Sequence, residues 1–290
     1  MNDAIYDLGL SPNFKEDKTA FAARESGLYR TTDGGKTWTN TFDSLGVDEQ
    51  VPALAVAISP NFGYDKTVFA GTFGVVLNTI NAGETWIGMR LQEPIPLVSC
   101  LVVSPNYAED GLVYAGTIQD GVFTSANRGE GFVGWNYGLL DQHVYGLTTE
   151  GNAVYAAVDT GVYRSSNRGR RWDEVGKVMD FGPNNIVAFI AEAMFIASEE
   201  SGLYVSHNDG KTYKRIAEEQ FPGAVNYMKA LNGQLVAASD FVVWVSKDVG
   251  KTWTQVSAAP EGESVMIFDV SPDGTVLVGY SDGTLGWYSI

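Results

Sequence analysis

One eight-residue pattern recurs six times and constrains the fold more than any other feature of the sequence. It reads Thr31-Thr-Asp-Gly-Gly-Lys-Thr-Trp38, Thr79-Ile-Asn-Ala-Gly-Glu-Thr-Trp86 and Ser125-Ala-Asn-Arg-Gly-Glu-Gly-Phe132. It returns as Ser165-Ser-Asn-Arg-Gly-Arg-Arg-Trp172, Ser206-His-Asn-Asp-Gly-Lys-Thr-Tyr213 and Ser246-Lys-Asp-Val-Gly-Lys-Thr-Trp253. The closing aromatics stand 48, 46, 40, 41 and 40 residues apart, the period of one four-stranded propeller blade. Each position has a physical reason. The Ser/Thr hydroxyl and the Asp/Asn side chain at Asp33, Asn81, Asn127, Asn167, Asn208 and Asp248 can bond to turn amides and hold a hairpin shut. The glycine shared by all six copies, Gly35 in the first, supplies a backbone angle that a β-carbon penalises. The aromatic (Trp38, Trp86, Phe132, Trp172, Tyr213 or Trp253) starts the next strand and fills the gap between blades. Its truncation is expected to cost about 3–5 kcal/mol where it is fully buried.

Strand-like runs flank every octad. A short one with Gly at its start precedes it, as in Gly27–Arg30 and Gly161–Arg164; a second lies one step earlier, as in Ala20–Ala23 and Val113–Thr117. Earlier still is a more apolar run, often ending in Ser-Pro, as in Ile5–Pro12 and Val98–Pro105. Three strands before the octad and one after it make four per blade. Val265–Ser271, Thr275–Gly279 and Thr284–Ser289 repeat the first three strands, but Ile290 ends the chain before a seventh octad. The expectation is an all-β, seven-bladed propeller forming one domain over 1–290. Its blades fall near 4–46, 47–92, 93–138, 139–177, 178–219, 220–258 and 259–290. The last has three strands unless a strand outside these residues completes it. Closure then rests on side-chain packing between blades 7 and 1, which leaves an exposed edge.

The octads resemble the Asp-box, or BNR, repeat, with the pattern Ser/Thr-x-Asp-x-Gly-x-Thr-Trp. Octads 31–38 and 246–253 match throughout; the others differ by Asn for Asp, by Gly131 or Arg171 for Thr, or by Phe132 and Tyr213 for Trp. Sialidases, xyloglucan-cleaving glycosidases, sortilin-like receptors and the photosystem II stability and assembly factor carry such repeats. The resemblance implies that the octads are structural turns at the blade periphery, away from any ligand face, so Asp33, Asn81 and Asp248 inherit no catalytic role. It implies fold far more than function.

Enzymatic readings find little to work with. A sialidase-like site needs three arginines converging on a sugar carboxylate, but none of the nine arginines falls in an innermost-strand run. A two-carboxylate glycosidase needs an acid and a base across the scissile bond. Asp7 lies four residues before Ser11-Pro12 and Asp269 two before Ser271-Pro272, so with period two they share a facing direction and are the candidate pair. The competing reading is that each caps a strand end or bonds backbone. With only two histidines, His143 and His207, no metal cluster or Ser/His/Asp triad is indicated, and no cofactor motif appears. The Ser-Pro-Asn-aromatic segments ending in Asp17, Asp65 and Asp110 carry too few carboxylates for calcium and read as Asx-bonded turns. Cys100 lies in an apolar run and reads as a small buried hydrophobe.

Net charge is −16, which argues against nucleic acid and anionic membrane surfaces. No apolar run is long enough to span a membrane, and the start Met1-Asn2-Asp3-Ala4 is not a signal peptide. The expectation is a cytoplasmic protein or a trimmed secreted one. The loops that enter the innermost strands vary while the frame repeats, the usual division between scaffold and site. They carry Asp43, Asp48, Glu49, Glu93, Asp141, Glu218, Glu219, Glu261 and Glu263, which suits a partner with a basic surface. In the segment 134–141, Trp135, Tyr137, Leu139, Leu140 and Asp141 resemble an interface anchor; inter-blade packing of Trp135 is the other reading. Two functions stand: a non-catalytic protein- or peptide-binding scaffold, and a carbohydrate-active propeller acting as a hydrolase or a lectin-like binder.

Overall fold

Hairpins closed by the octads stack around a central channel. The computed structural model describes residues 3–92, 95–175, 184–198 and 200–290. Seven antiparallel sheets follow one another along the chain, six of four strands and the last of three. In blade 1 the strands run outward as Ile5–Leu10, Ala20–Arg24, Gly27–Thr31 and Thr39–Asn40. The innermost strands of blades 2 to 6 are Ala55–Ile58, Leu97–Val103, Val144–Glu150, Asn184–Ile190 and Tyr227–Leu231. Blade 7 comprises Val265–Val270, Thr275–Tyr280 and Leu285–Ser289. The protein is therefore a seven-bladed, all-β propeller whose last blade is one strand short.

The octads work as local clamps. Thr31 Oγ1 donates to Asp33 Oδ1 (2.8 Å) and accepts the Gly35 N–H (2.9 Å), while Asp33 Oδ1 also accepts Thr37 N–H (3.0 Å). Asp33 Oδ2 accepts the Thr37 hydroxyl at 2.7 Å. Where Asn replaces Asp, the last bond reverses direction: Asn81 Nδ2 donates to Thr85 Oγ1 at 2.9 Å, and Asn208 Nδ2 to Thr212 Oγ1 at 2.9 Å. The turn thus tolerates either residue, because a threonine hydroxyl both donates and accepts. Gly35 sits at φ +89°, and a β-carbon there would come within 2.4 Å of the Trp287 indole of blade 7. Conformation and close blade contact both demand glycine.

Among the described residues the apolar core divides into seven clusters, one per seam between neighbouring blades. Trp38 packs in the seam of blades 7 and 1, Trp86 in that of 1 and 2, and Phe132 in that of 2 and 3. Trp172, Tyr213 and Trp253 do the same in the next three seams. Each octad aromatic is a wedge against the preceding blade. The seam of blades 6 and 7 has no such wedge and is closed by Val256, Tyr288 and Ile290.

Closure between blades 7 and 1 is more than apolar packing. Trp287 stacks on Phe14 at 5.0 Å between centroids, the Arg24 guanidinium donates to the Gly283 carbonyl at 3.0 Å, and Asp269 accepts the Leu10 N–H. The Ser-Pro-Asn segments form single helical turns, Phe14–Asp17, Phe62–Asp65 and Tyr107–Asp110, rather than plain hairpin turns. Asp17 accepts Ser11 Oγ (2.6 Å) and Thr19 N–H (2.9 Å), so its carboxylate is engaged within the turn. Asp65 and Asp110 repeat the arrangement. No helix among the described residues is long and apolar enough to cross a membrane.

Candidate functional site

Antiparallel order puts two sets of loops at one end of the propeller. They are the connections entering each innermost strand and the turns between second and third strands. At this entry face the innermost strands of five blades slip register near their start. Such a bulge leaves one residue out of the ladder and re-aims its side chain. The residues left out include Tyr6, Tyr145 and Met266, and these large side chains are exposed, Met266 at 50% and Tyr6 at 44%. Phe73 and Phe241 stand exposed on second-turn tips of blades 2 and 6, and Val47, Ile95 and Leu140 on entry loops. Of the exposed large apolar residues described, Tyr64, Ile80, Ile87 and Val133 lie on the opposite face or the outer wall. The entry face therefore collects most of the exposed apolar surface, beginning at the rim of the channel.

The same face is acidic. Asp43, Asp48, Glu49, Glu218, Glu219 and Glu261 are exposed on its loops. Glu263 is half-buried there and accepts the Ser281 hydroxyl at 2.6 Å. Glu93, expected in this set, lies outside the described residues. Arg24, the arginine nearest the blade 7 seam, is already paired with Asp3 at 3.7 Å. Most of the remaining arginines and lysines sit in or beside octads, toward the outer wall and the opposite face. Apolar anchors inside a negative rim are a binding arrangement for cationic segments.

Deeper in the channel wall, Asp7 and Asp269 feel one another's charge, and both are bonded to neighbouring blades. Asp7 accepts Leu8 N–H (2.8 Å) and, from blade 2, Val56 N–H (2.8 Å). Asp269 accepts Leu10 N–H of blade 1 at 2.7 Å and forms an ion pair with Lys229 of blade 6. Burial lifts the Asp7 carboxyl to about 7, against the pull of the two amides and of Lys229; the Asp269 charge adds to the rise. Tyr227 is pushed well above the ordinary phenol value, by burial first and then by Asp7 and Asp269. The two carboxylates thus staple blades 6, 7, 1 and 2 around the channel. Backbone bonding, one of the two readings open from sequence, accounts for their contacts. The Cys100 thiol is pushed up to about 12 by burial, which leaves no thiolate for nucleophilic chemistry.

The 135–141 segment is split by the structure. Leu139 is buried in the seam of blades 3 and 4 at 4% exposure, against Trp172, and so cannot contact a partner; this corrects its expected place in the interface. Tyr137 bridges to Arg171, and its carbonyl accepts Trp172 N–H at 2.9 Å, which ties the segment to blade 4. The ring of Tyr137 and the side chain of Leu140 remain exposed, at 74% and 84%. Trp135 is half-covered by the Arg170 guanidinium, 4.9 Å from its ring centroid. Asp141 does not stand free: it accepts His143 N–H and Thr160 N–H, each at 3.0 Å. Burial pushes its carboxyl pKa up, but the bonds from His143 and Thr160 outweigh that and hold the carboxyl below the usual range. Asp141, His143 and Asp159 bring ligand atoms within 4.8 Å of one another, a grouping hidden in the sequence because Asp159 belongs to the next hairpin. A further recess of about 600 Å³ opens on the outer seam of blades 5 and 6, lined by Lys214, Glu218 and Lys251 among others.

Comparison with known proteins agrees with this architecture. Residues 243–256 match the BNR–Asp box repeat. That match spans the last of the six octads, on a chain folded as a seven-bladed propeller. The chain is 25% identical over 189 residues to a probable oligoxyloglucan-reducing end-specific xyloglucanase of Neosartorya fischeri, covering 51% of this chain and 23% of that protein. It is 26% identical over 157 residues to sortilin of Rattus norvegicus, covering 49% and 18%. The chain thus spans about a fifth of the length of these curated relatives. The solved structure of YCF48 bound to D1 peptide superposes with a TM-score of 0.74 at 14% identity, covering 100% of this chain and 94% of that one. At that identity the likeness shows the fold alone.

Proposed function

We propose that this Asp-box propeller is a non-catalytic binding module whose entry face takes a basic protein or peptide segment bearing apolar side chains. The observation that carries the reading is the set Tyr6, Tyr145 and Met266, turned out of the sheets by register slips at the channel mouth and ringed by acidic loops. Building exposed apolar side chains into rigid strands, beside loops free to vary, suits a partner site. YCF48, with a peptide bound, and sortilin are examples of related architecture, and lend support by likeness alone.

The carbohydrate reading rests on the similarity to the xyloglucanase and on exposed aromatics that can stack on sugar rings. Against it, both candidate acids are bonded to the amides of neighbouring blades. A panel of immobilised peptides varying in charge and aromatic content, probed with the protein beside xyloglucan oligosaccharides, separates the two. Expected is salt-sensitive retention on Lys/Arg-rich peptides containing Leu, Phe or Trp, reduced tenfold or more by Met266→Lys or Tyr6→Ala. Preference for acidic peptides overturns the reading. So does oligosaccharide hydrolysis that disappears in Asp7→Asn and Asp269→Asn.

A further inference from the structure

His143 stands one residue before the innermost strand of blade 4, Val144–Glu150. Val144 pairs with Val158 in an antiparallel ladder, so the same register sets His143 opposite Asp159, in the turn between second and third strands. Both valines are fully buried, which fixes the two loops relative to one another. Asp141 is drawn alongside by its own bonds. Its Oδ1 accepts the His143 N–H and its Oδ2 the Thr160 N–H, each at 3.0 Å. One blade thus presents an imidazole and two carboxylates at a single point of the entry face.

The spacing of the three groups fits one metal ion. His143 Nδ1 lies 3.1 Å from Asp141 Oδ1 and 3.8 Å from Asp159 Oδ2. A ligand atom of each residue lies within 4.8 Å of the other two. Nitrogen and oxygen ligands about 2.0–2.2 Å from a zinc ion stand roughly 3.3–3.6 Å apart at the corners of a tetrahedron. The two histidine distances bracket that edge, and Asp159, its side chain 40% exposed, has room to close the third. Asp141 is the fixed ligand. Its side chain is 10% exposed, and two backbone amides orient it as outer-shell bonds orient a ligating carboxylate. Among the described residues neither carboxylate has a lysine or arginine within ion-pairing distance; the basic side chain both meet is His143. The imidazole decides the class of ion. Calcium and magnesium take oxygen ligands, and calcium takes six to eight of them, whereas a ring nitrogen between two carboxylates suits a borderline divalent ion such as zinc.

We propose that Asp141, His143 and Asp159 bind a divalent transition-metal ion of the zinc class, which clasps the entry loop of blade 4 to the neighbouring turn. Three protein ligands leave a coordination position open. The exposure of His143 and Asp159 turns that position toward solvent at the entry face, where water or a donor group of a partner fills it. The site needs only residues of blade 4 and does not depend on the function proposed for that face.

Isothermal titration of the tag-free 290-residue protein with zinc chloride tests this, repeated with cobalt and nickel. Expected is one zinc ion per chain. His143→Ala and Asp159→Asn should each weaken binding at least tenfold, while His207→Ala, at an exposed octad position on blade 5, should leave it unchanged. The chain has two histidines, so proton spectra supply a second readout. Zinc should shift the ring resonances of His143 and not those of His207. If His143→Ala melts early without metal, the ring resonances of the unaltered protein decide. The proposal is overturned if none of the three ions binds, if affinity survives the loss of His143, or if the His143 resonances stay in place. It is equally overturned if calcium at equal concentration displaces the zinc, since the binding is then to acidic surface alone.

Discussion

Asp269 of the last blade accepts the backbone N–H of Leu10 in the first at 2.7 Å, and so joins residues 259 positions apart. The same carboxylate is paired with Lys229 of blade 6, and its side chain is nearly buried. Among the described residues the sheet of blade 7 shares no strand with blade 1, and this bond takes part in locking the ring. Replacing Asp269 with Ala leaves the Leu10 amide unpartnered and the Lys229 ammonium without its anion. Hydrogen bonds to charged groups contribute about 1.5–3 kcal/mol, and Asp269→Ala should lose stability in that range by urea denaturation. The equivalent loss should be smaller in Asp269→Asn, which can still accept the amide proton. Equal stability of all three proteins would show that the seam closes on apolar contacts alone.

Trp172 is the most deeply buried of the octad aromatics, at 1% exposure. It fills the seam of blades 3 and 4 against Leu139, Tyr114 and Val144. Trp172→Ala should therefore cost about 3–5 kcal/mol, measured as a shift of the denaturation midpoint at unchanged slope. Trp38, Trp86 and Trp253 are only partly buried, and their truncations should cost visibly less. A uniform loss across the four would mean that the wedges act by local hairpin closure rather than by filling seams.

The octad carboxylates make a separate prediction about acid. Asp248 accepts the Thr252 hydroxyl at 2.6 Å and Thr252 N–H at 2.8 Å, and these bonds hold its carboxyl down to about 2. Asp33 is held at about 2 in the same way, by Thr37 and Thr31. A depressed folded value contributes stability that is present above the ordinary carboxylate range and is lost as pH falls toward 2. Asp248→Asn should remove that acid sensitivity while keeping the turn, because Asn208 already closes an equivalent turn by donating to Thr212. Thermal melts from pH 2 to pH 6 check this. A variant that keeps the full acid dependence, or fails to fold, contradicts it.

The repeat frame was legible because its determinants are local. Hydroxyl, Asp/Asn, Gly and aromatic sit within eight residues, and their bonds are closed inside one turn. The missing seventh outer strand was legible for the same reason. What stayed hidden depends on contacts between blades. The register slips that expose Tyr6, Tyr145 and Met266 arise where an innermost strand meets its neighbours, and no residue type marks them. Adjacent leucines took opposite fates, Leu139 in a seam and Leu140 in solvent, because the 135–141 segment is pinned to blade 4 by Tyr137. Asp7 and Asp269 could be aligned from the repeat, but Val56 and Leu10, the amides they bond, belong to other blades. The one-turn helices were read as plain turns, since four residues offer no helical period.

Asp7 gives the propeller a pH dependence opposite in sign to that of the octads. Burial raises its carboxyl from 3.8 to about 7; the amides of Val56 and Leu8 and the Lys229 charge pull it down, and Asp269 pushes it up. Tyr227 and Cys100 face the same group, and both hold their protons through this range. With the folded value above the unfolded one, the folded state binds the extra proton between pH 3.8 and about 7. Stability from this group is complete below that window and falls as pH rises through it. The full span corresponds to on the order of 4 kcal/mol. Asp33 and Asp248 titrate below the window and do not mask it. Urea denaturation of the wild type should show stability falling from pH 5 to pH 8, and Asp7→Asn, which carries no charge to desolvate, should be flatter over the same range. Parallel curves for the two proteins would mean that channel water or a counter-charge already solvates the ionised Asp7, and that the staple to Val56 holds equally well with the carboxyl charged.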